Sequence, residues 1–259
     1  MSFARVSLSR MTAIPPGSDS TPIVSTNALH RRYGEGETAV HALNGITLAF
    51  PAGQFTAIMG PSGSGKSTLM HLLAGLDHPT SGSVVVDGTE LANLDDRRLT
   101  RLRRDKLGFV FQAYNLVPVL TAEENILLPL TLAGRKPDRE WIDALIAKVD
   151  LGDRLTHRPS ELSGGQQQRV AVARALASRP AVVFADEPTG NLDSHASDEV
   201  LALLREAVDE FGQTVIMVTH DAHAASVADR MVVLRDGEVV HDGAGESEAG
   251  VLDVMKAVA

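Results

Sequence analysis

One string of eight residues constrains this chain more than any other feature. Gly60–Ser67 reads GPSGSGKS, a full match to the pattern G-x-x-x-x-G-K-[ST]. The apolar stretch Gln54–Met59 before it is typical of a strand, and the run Thr68–Leu73 after it is typical of a helix. Glycines let such a loop curl so that its N–H groups converge on an anion at the positive end of the helix. The string predicts a phosphate-binding loop, and the alternative of an ordinary Gly/Ser loop is remote.

Nucleotide phosphates are the anions that this type of loop holds. Lys66 is expected to reach the β- and γ-phosphates, and the Ser67 hydroxyl is expected to ligate Mg²⁺. The predicted nucleotide contacts within the loop and the first helical turn are Gly60, Pro61, Ser62, Gly63, Ser64, Gly65, Lys66, Ser67 and Thr68. Kinases, GTPases, helicases and transport ATPases share such a loop, so the reaction stays open at this point.

An apolar run that ends in two carboxylates narrows the choice among these reaction types. Val182–Ala185 is followed by Asp186 and Glu187. Asp186 is placed to hold the Mg²⁺ shell, and Glu187 is placed to polarise an attacking water. A general base beside the metal-binding carboxylate indicates hydrolysis rather than transfer to an acceptor hydroxyl. Two surface acids at a strand end are the simpler alternative, which the phosphate-binding loop in the same chain disfavours.

A second glycine-rich helix start lies at Leu162–Arg169, which reads LSGGQQQR and precedes the helical run Val170–Ala177. Its serine and glycines expose backbone N–H groups at a helix N-terminus, which is a second anion-binding arrangement. With this string the sequence resembles the ATP-binding-cassette (ABC) ATPases. The resemblance implies that the signature of one subunit closes on the ATP of another in a head-to-tail homodimer. The signature residues acting in trans are Ser163, Gly164, Gly165 and Gln166.

The resemblance also implies roles around the nucleotide and its metal. Tyr33 matches the aromatic residue that stacks on adenine, although a lone tyrosine is more often surface or core filler. Gln112 matches the loop glutamine that joins the metal shell and senses the membrane partner. The implied ligands of Mg²⁺ are therefore Ser67, Gln112 and Asp186.

Two more matches complete the catalytic set. Asp193 lies in the loop through which the dimer halves contact each other, and His220 matches the switch histidine that contacts the γ-phosphate and the catalytic Glu187. Glu187 and His220 are thus the predicted catalytic residues. His220 and His223 could also form an H-x-x-H zinc pair, but no third ligand stands nearby in the sequence.

The order of apolar runs predicts an α/β fold. From Ile23 to about Gly237, short apolar runs alternate with longer amphipathic stretches, which is typical of a mostly parallel sheet. Ile46–Phe50, a turn and Gln54–Met59 indicate two strands, and Ser83–Asp87 indicates a hairpin arm, so an antiparallel β subdomain is expected as well. A helical subdomain is expected as an insertion at about residues 113–165. This is the P-loop core of the ABC ATPase fold that the resemblance implies.

The domain boundaries follow from the same patterns. Residues 1–22 are interpreted as a disordered leader, residues 23–238 as the ABC ATPase domain, and residues 239–259 as a C-terminal tail of unknown role. The longest apolar stretches, Ile126–Ala133 and Ala181–Ala185, fall well short of the roughly 20 residues that span a bilayer. We therefore expect no membrane span in this chain.

Composition and detailed motifs narrow the partners. The net charge is 24 − 33 = −9, which disfavours a protein that coats nucleic acid. The chain has no cysteine, which excludes disulfides, thiol nucleophiles and thiolate metal sites. Arg97–Lys106 holds six basic residues among ten and is interpreted as a solvated helix face. Motifs such as His71–Asp77 and Phe111–Leu116 resemble the branch of macrolide export, lipoprotein release and cell division. The resemblance implies a partner permease in the membrane and a peripheral position on its cytoplasmic face.

Two other functions stay open. A soluble ABC ATPase of DNA repair or translation is the main alternative, although no second cassette or strongly basic face is visible. A regulatory switch that binds ATP without hydrolysing it is disfavoured because Glu187 and His220 are both present. Within the transporter branch, export, lipoprotein release and control of cell-wall hydrolysis are all compatible with this sequence.

Overall fold

The structure is a computed structural model that describes residues 21–258. The predicted leader lies outside the described residues as far as residue 20. The strands are β1 Val24–Tyr33, β2 Val40–Phe50, β3 Phe55–Met59, β4 Ser81–Val86, β5 Thr89–Glu90, β6 Leu107–Phe111, β7 Val182–Asp186, β8 Val215–Val218, β9 Arg230–Arg235 and β10 Glu238–Ala244. The helices are α1 Lys66–Leu73, α2 Asp96–Lys106, α3 Ala122–Leu132, α4 Arg139–Lys148, α5 Gly164–Leu176, α6 Ser194–Phe211, α7 Ala222–Ala225 and α8 Glu248–Ala257.

The central sheet has the strand order β10-β9-β3-β8-β7-β6. Strands β9, β3, β8, β7 and β6 pair in parallel, and β10 pairs antiparallel with β9 at the edge. The residues of β3 and β8 are all buried because both faces of this sheet are covered. The carboxyl ends of β3, β7 and β8 therefore meet at one edge, where the phosphate-binding loop, the acid pair and His220 follow.

The second sheet is antiparallel, with the order β2-β1-β4-β5. The sequence pattern predicted β2 and β3 as consecutive strands joined by a turn, and the structure places them in different sheets. The physical reason lies in their burial. In β2, Ile46, Leu48 and Phe50 alternate with more exposed residues, so one face is covered, whereas β3 needs neighbours on both faces.

Alternate residues of the central strands feed two hydrophobic cores. In β7, Val182 and Phe184 pack with α1 and the antiparallel sheet. Val183 and Ala185 point the other way, into a core formed with α3, α4, α5 and α6. This arrangement places α5, which starts at the predicted signature, between the helical layer and β6. The helices α3 and α4 fall inside the insertion expected at residues 113–165.

The basic stretch forms α2, which Asp95 caps by accepting a hydrogen bond from the Arg98 N–H at 2.8 Å. Its apolar residues Leu99 and Leu102 are buried in the core beside α1. Arg97, like most of the basic side chains on this helix, lies at the surface. The stretch is thus an amphipathic helix with a charged outer face.

The C-terminal segment is part of the folded body. The boundary expected after Glu238 falls inside β10, which continues to Ala244 and pairs with β9, with a register shift between Val239 and His241. Ser247 then caps α8, whose Val251 is fully buried, and α8 packs beside α7. None of the helices in residues 21–258 combines the length and apolar character needed to cross a membrane.

Candidate active site

The predicted phosphate-binding loop, Gly60–Ser67, connects β3 to α1 through backbone conformations that need glycine. Gly60 and Gly65 have φ values of +145° and +101°. A Cβ at Gly60 would collide with the carbonyl oxygen of Leu234, and a Cβ at Gly65 would lie 2.5 Å from the carbonyl oxygen of Ala42. The loop is therefore held between the end of β9 and the strand β2, with no room for larger residues.

Lys66 begins α1 and folds over this loop. Its Nζ donates to the carbonyl oxygens of Gly60 at 2.8 Å and Pro61 at 2.9 Å. No side chain caps the first turn of α1, so its N–H groups point into the loop without an internal partner. Burial lowers the pKa of Lys66, while the negative charges of Glu187 and Asp186 act in the opposite direction. The positive charge of Lys66 therefore interacts with the negative charges of the acid pair.

The acid pair stands at the end of β7, between β6 and β8. Asp186 pairs with Phe111 of β6 on one side and Val218 of β8 on the other. Burial raises the pKa of Asp186 and the neighbouring charge of Glu187 raises it further, whereas His71 and Lys66 oppose the shift. A bound cation would relieve this unfavourable burial of negative charge.

Glu187 turns out of the strand in a left-handed conformation, with φ of +46°, while its N–H donates to the Val218 carbonyl oxygen at 2.9 Å. Its Oε1 lies 2.8 Å from Nδ1 of His220, and its Oε2 accepts a hydrogen bond from the Thr219 hydroxyl at 3.3 Å. Both partners follow the adjacent strand β8. Two oxygens held by two different groups fix the orientation of the carboxylate.

The alternative zinc pair of His220 and His223 is not assembled. His220 contacts Glu187, whereas Nε2 of His223 lies 2.7 Å from Asp198 of α6 and its Nδ1 lies 3.5 Å from Glu248 of α8. Within residues 21–258, no group of three or more His, Cys, Asp or Glu side chains has the arrangement of a metal site. The two histidines therefore belong to separate carboxylate contacts.

Gln112 follows the last residue of β6 and lies against the segment after the acid pair. Its Nε2 donates to Asn191 Oδ1 at 3.1 Å, and Asn191 Nδ2 returns a hydrogen bond to the Gln112 carbonyl oxygen at 3.0 Å. A Cβ at Gly190 would meet Gln112 Nε2 at 2.7 Å, so this glycine makes the close contact possible. Ser67, at the exposed start of α1, makes no side-chain hydrogen bond among the described residues.

The signature loop, Ser163–Gln166, begins α5, and the side chains of Ser163 and Gln166 are hydrogen-bonded within the loop. The Ser163 hydroxyl accepts from the Gln166 N–H at 3.2 Å, and Gln166 Oε1 accepts from the Ser163 N–H at 2.9 Å, which forms a capping box. The N–H groups of Gly164 and Gly165 keep no intrahelical partner. A Cβ at Gly165 would lie 3.0 Å from Cβ of Ala196, so these glycines also permit close packing against α6.

Asp193 caps α6 by accepting from the Ala196 N–H at 2.9 Å. It lines a cleft of about 500 Å³ together with the signature loop, Arg169, the segment 191–192 and the first turns of α6. No residue of the chain's own phosphate-binding loop, which the structure describes in full, lines this cleft. The second anion-binding arrangement is therefore spatially separate from the first.

Tyr33 ends β1 and is tied to two polar side chains. Its hydroxyl donates to Asp77 Oδ2 at 2.8 Å, and the guanidinium of Arg31 lies 4.4 Å from the centroid of its ring. Arg31 also donates to Asp77 Oδ1 at 2.9 Å. The ring stays 40% exposed, so an aromatic group can still stack on it.

Several residues that matter for this geometry were not singled out from the sequence. Thr219 and Asn191 orient Glu187 and Gln112, while Gln168 is fully buried and donates through Nε2 to the Pro188 carbonyl oxygen at 2.5 Å and the Phe111 carbonyl oxygen at 3.3 Å. A polar residue on the apolar face of α5 was the sequence signal for Gln168. Thr219 carried no signal beyond its closeness to His220, and Asn191 was matched only as part of the dimer loop, not as the partner of Gln112.

Comparisons with known proteins show which family the chain resembles. The family model described as "ABC transporter" matches residues 43–190. The chain is 51% identical over 227 residues to the lipoprotein-releasing system ATP-binding protein LolD of Anaeromyxobacter dehalogenans, covering 86% of this chain and 95% of that one. It is 49% identical over 227 residues to the macrolide export ATP-binding/permease protein MacB of Marinobacter nauticus, covering 87% of this chain and 35% of that one. The chain thus spans about a third of the length of this MacB relative.

A solved structure shows the same fold. The dimeric post-hydrolysis structure of the ATP-binding cassette MJ0796, bound to ADP and Pi, has a TM-score of 0.77 and 42% sequence identity. The match covers 86% of this chain and 99% of that one. The sequence of MJ0796 comes from Methanocaldococcus jannaschii. The predicted ABC ATPase fold is confirmed by this likeness.

Proposed function

The chain belongs to the ABC transporter family, whose cassettes bind and hydrolyse ATP, and we propose that it is the ATP-hydrolysing subunit of a membrane transporter or mechanotransmission complex. It works as a head-to-tail homodimer coupled to a separate integral membrane permease, of the kind that serves macrolide export or cell division. It lies peripherally on the cytoplasmic face of the membrane and does not act on nucleic acid. The names of the MacB and LolD relatives support the transporter function over the soluble alternative.

The observation that carries the proposal is the fixed carboxylate of Glu187. It stands beside Asp186, shares an electrostatic environment with Lys66, and is held by Thr219 and His220. A carboxylate in this position orients a water for in-line attack on a γ-phosphate and accepts its proton. His220, whose side chain is 73% exposed, is accessible to the phosphate while it holds Glu187.

The remaining residues bind and position ATP. The N–H groups of the phosphate-binding loop and of the first turn of α1 hold the phosphates, and Nζ of Lys66 exchanges the carbonyl oxygens of Gly60 and Pro61 for phosphate oxygens. Tyr33 stacks on the adenine. The signature loop of the second subunit supplies its free N–H groups to the γ-phosphate, and Asp193 lies where the two subunits meet.

Mg²⁺ fits the donor set at the edge of the central sheet. Ser67, Asp186 and Gln112 offer a hydroxyl, a carboxylate and an amide oxygen, which are the hard oxygen ligands that Mg²⁺ prefers. Asp186 is half-buried beside Glu187, and this burial raises its pKa, so a positive charge is favourable there. Bound Mg²⁺ would neutralise charge on the phosphates during hydrolysis.

The permease docks beside the loop that follows Gln112. This loop leads from β6 to the helical layer and presents Val119, which is 71% exposed. Gln112 and Asn191 are joined by two hydrogen bonds, and Asn191 follows the acid pair in the chain. A displacement of the loop would therefore be transmitted to the segment that carries Asp186 and Glu187. The permease, rather than this chain, contacts the transported substrate.

The test replaces Glu187 by glutamine. Glu187→Gln keeps the shape of the side chain and one donor or acceptor for each partner but removes the base, so ATP binding persists and turnover falls by about 10²–10⁴-fold. With ATP bound and not hydrolysed, the variant accumulates as a dimer in analytical ultracentrifugation. The matched control is Glu140→Gln, at an exposed position in the first turn of α4. A variant that stays monomeric with unchanged hydrolysis would reject the proposed mechanism.

A further inference from the structure

The loop after β6 contains two consecutive residues in a conformation that L-amino acids avoid. Tyr114 has φ of +60° and Asn115 has φ of +51°. Asparagine tolerates this region, but tyrosine adopts it rarely. Such a conformation persists only where surrounding contacts impose it, and it occurs often at functional sites.

Arg174, in the last turn of α5, supplies those contacts. Its two terminal nitrogens donate to consecutive carbonyl oxygens, Nη1 to Asn115 at 2.6 Å and Nη2 to Tyr114 at 2.8 Å. No carboxylate forms an ion pair with Arg174 among residues 21–258. Burial lowers the pKa of this guanidinium. The guanidinium is half-buried and binds two neighbouring backbone oxygens, so it holds the loop backbone in place through two charge-assisted hydrogen bonds.

The same loop touches both halves of the proposed catalytic machinery. At its start, Gln112 contacts Asn191 next to the acid pair. In its middle, the Tyr114 hydroxyl approaches the signature loop so closely that a Cβ on Gly164 would lie 2.9 Å from it. Gln112 serves the nucleotide bound to its own subunit, whereas Gly164 serves the nucleotide bound to the second subunit.

We propose that Arg174 is a positioning residue that fixes the backbone at residues 114–115 and thereby holds Gln112 and the signature loop in one rigid relation. A shift on the metal-binding side of one ATP site then moves the signature side of the other site. This inference rests on the proposed function, because the two loops act only if ATP is bound and hydrolysed in a dimer.

Arg174→Lys tests the geometry of the contact while keeping its charge. A lysine ammonium cannot place two parallel donors on neighbouring carbonyl oxygens as the planar guanidinium does. We expect unchanged affinity for a fluorescent N-methylanthraniloyl ATP, because the phosphate-binding loop is untouched. The turnover number should fall by about tenfold, the scale on which residues outside a site change coupling. The Mg²⁺ concentration that gives half-maximal activity should rise, because Gln112 is displaced.

The matched control is Arg179→Lys, just beyond the same helix, where the arginine pairs with Asp138 at 3.1 Å on the surface. It should leave turnover and Mg²⁺ dependence unchanged. If Arg174→Lys gives folded protein with wild-type turnover and Mg²⁺ dependence, the proposal is wrong. It is equally wrong if the activity loss only matches the loss of folded protein, because that result indicates a purely structural role.

A second variant removes the contact between the loop and Gly164 without changing any residue of α5. Tyr114→Ala deletes the side chain that approaches Gly164, and it should lower turnover with ATP affinity preserved. Because both changes act through one loop, the double variant should be no worse than the more severe single variant. If the fold-losses of turnover in the two single variants multiply in the double variant, Arg174 and Tyr114 act independently and the proposal is overturned.

Amide hydrogen exchange separates this inference from the proposed function. The Tyr114 N–H donates to the Phe111 carbonyl oxygen at 3.1 Å and the Asn115 N–H donates to the Ala113 carbonyl oxygen at 2.6 Å. Arg174→Lys should speed the exchange of both amides even in protein without nucleotide, and unchanged exchange would contradict the proposal. If wild-type protein exchanges as expected but does not hydrolyse ATP, the proposed function fails instead.

Discussion

The signature loop allows stability and dimerisation to be separated with one substitution, Ser163→Asp. In the monomer, the Ser163 side chain only caps α5, where it accepts from the Gln166 N–H at 3.2 Å. Aspartate is as good a capping residue as serine, and its charge at a helix N-terminus adds about 0.3–1 kcal/mol of stability. The melting temperature of the monomer should therefore be unchanged or raised by about 1–4 °C.

The same charge faces a phosphate in the proposed dimer. A carboxylate about 5 Å from a phosphate charge costs about 3 kcal/mol at an effective dielectric constant of about 20. A symmetric dimer contains two such contacts, so the cost is about 6 kcal/mol. That cost weakens ATP-dependent dimerisation by about four orders of magnitude. ATP binding to the monomer should not change, because the cleft of the signature loop contains no residue of the chain's own phosphate-binding loop.

The assay is sedimentation of variants that also carry Glu187→Gln, because the ATP-bound dimer is expected to accumulate in that background. The matched control is Ser247→Asp, which makes the same change at the N-terminus of α8, where Ser247 accepts from the Gly250 N–H at 3.3 Å. The control should dimerise like its parent, and the Ser163 variant should remain monomeric with a normal melting temperature. ATP-dependent dimers of the Ser163 variant at the parent's concentration would refute a role of this loop in trans.

Three further predictions concern the loop, the pH dependence and the C-terminal helix. Gly65→Ala places a Cβ 2.5 Å from the Ala42 carbonyl oxygen at φ of +101° and should abolish binding of a fluorescent ATP analogue, with intact binding contradicting the close fit. A hydrogen bond to Asp198 raises the pKa of His223, so its stabilising contribution is complete below about pH 6.5 and is lost as pH rises through the raised pKa. The melting temperature of wild type should thus exceed that of His223→Gln more at about pH 6 than at about pH 9, and an equal difference would reject this linkage. Val251→Ala removes two buried methyl groups and should lower the free energy of unfolding in urea by about 2 kcal/mol, whereas an unchanged midpoint would contradict the packing of α8.

Features that depend on neighbouring residues can be predicted from the amino-acid order alone. The glycines of Gly60–Ser67 are needed for the local curvature of the loop, and the serine and glutamine of Ser163–Gln166 form a capping box within four residues. The near-continuous apolar runs of β7 and β8 are typical of strands buried on both faces, and the structure shows both strands buried in this way. The helical character expected at about residues 113–165 agrees with α3, because the apolar residues and the capping residues of this helix lie within one short segment.

Which of these features meet depends on long-range packing and could be seen only in the folded chain. The separation of β2 and β3 into two sheets depends on which strands compete for each edge, which no single segment encodes. The contacts of Thr219 with Glu187, and of Asn191 with Gln112, join residues 32 and 79 positions apart in the chain. The hold of Arg174 on the loop after β6 and the docking of α8 arise in the same way. Local conformation follows from short-range sterics and hydrogen bonds, whereas partners at long range are selected by the packing of the whole chain.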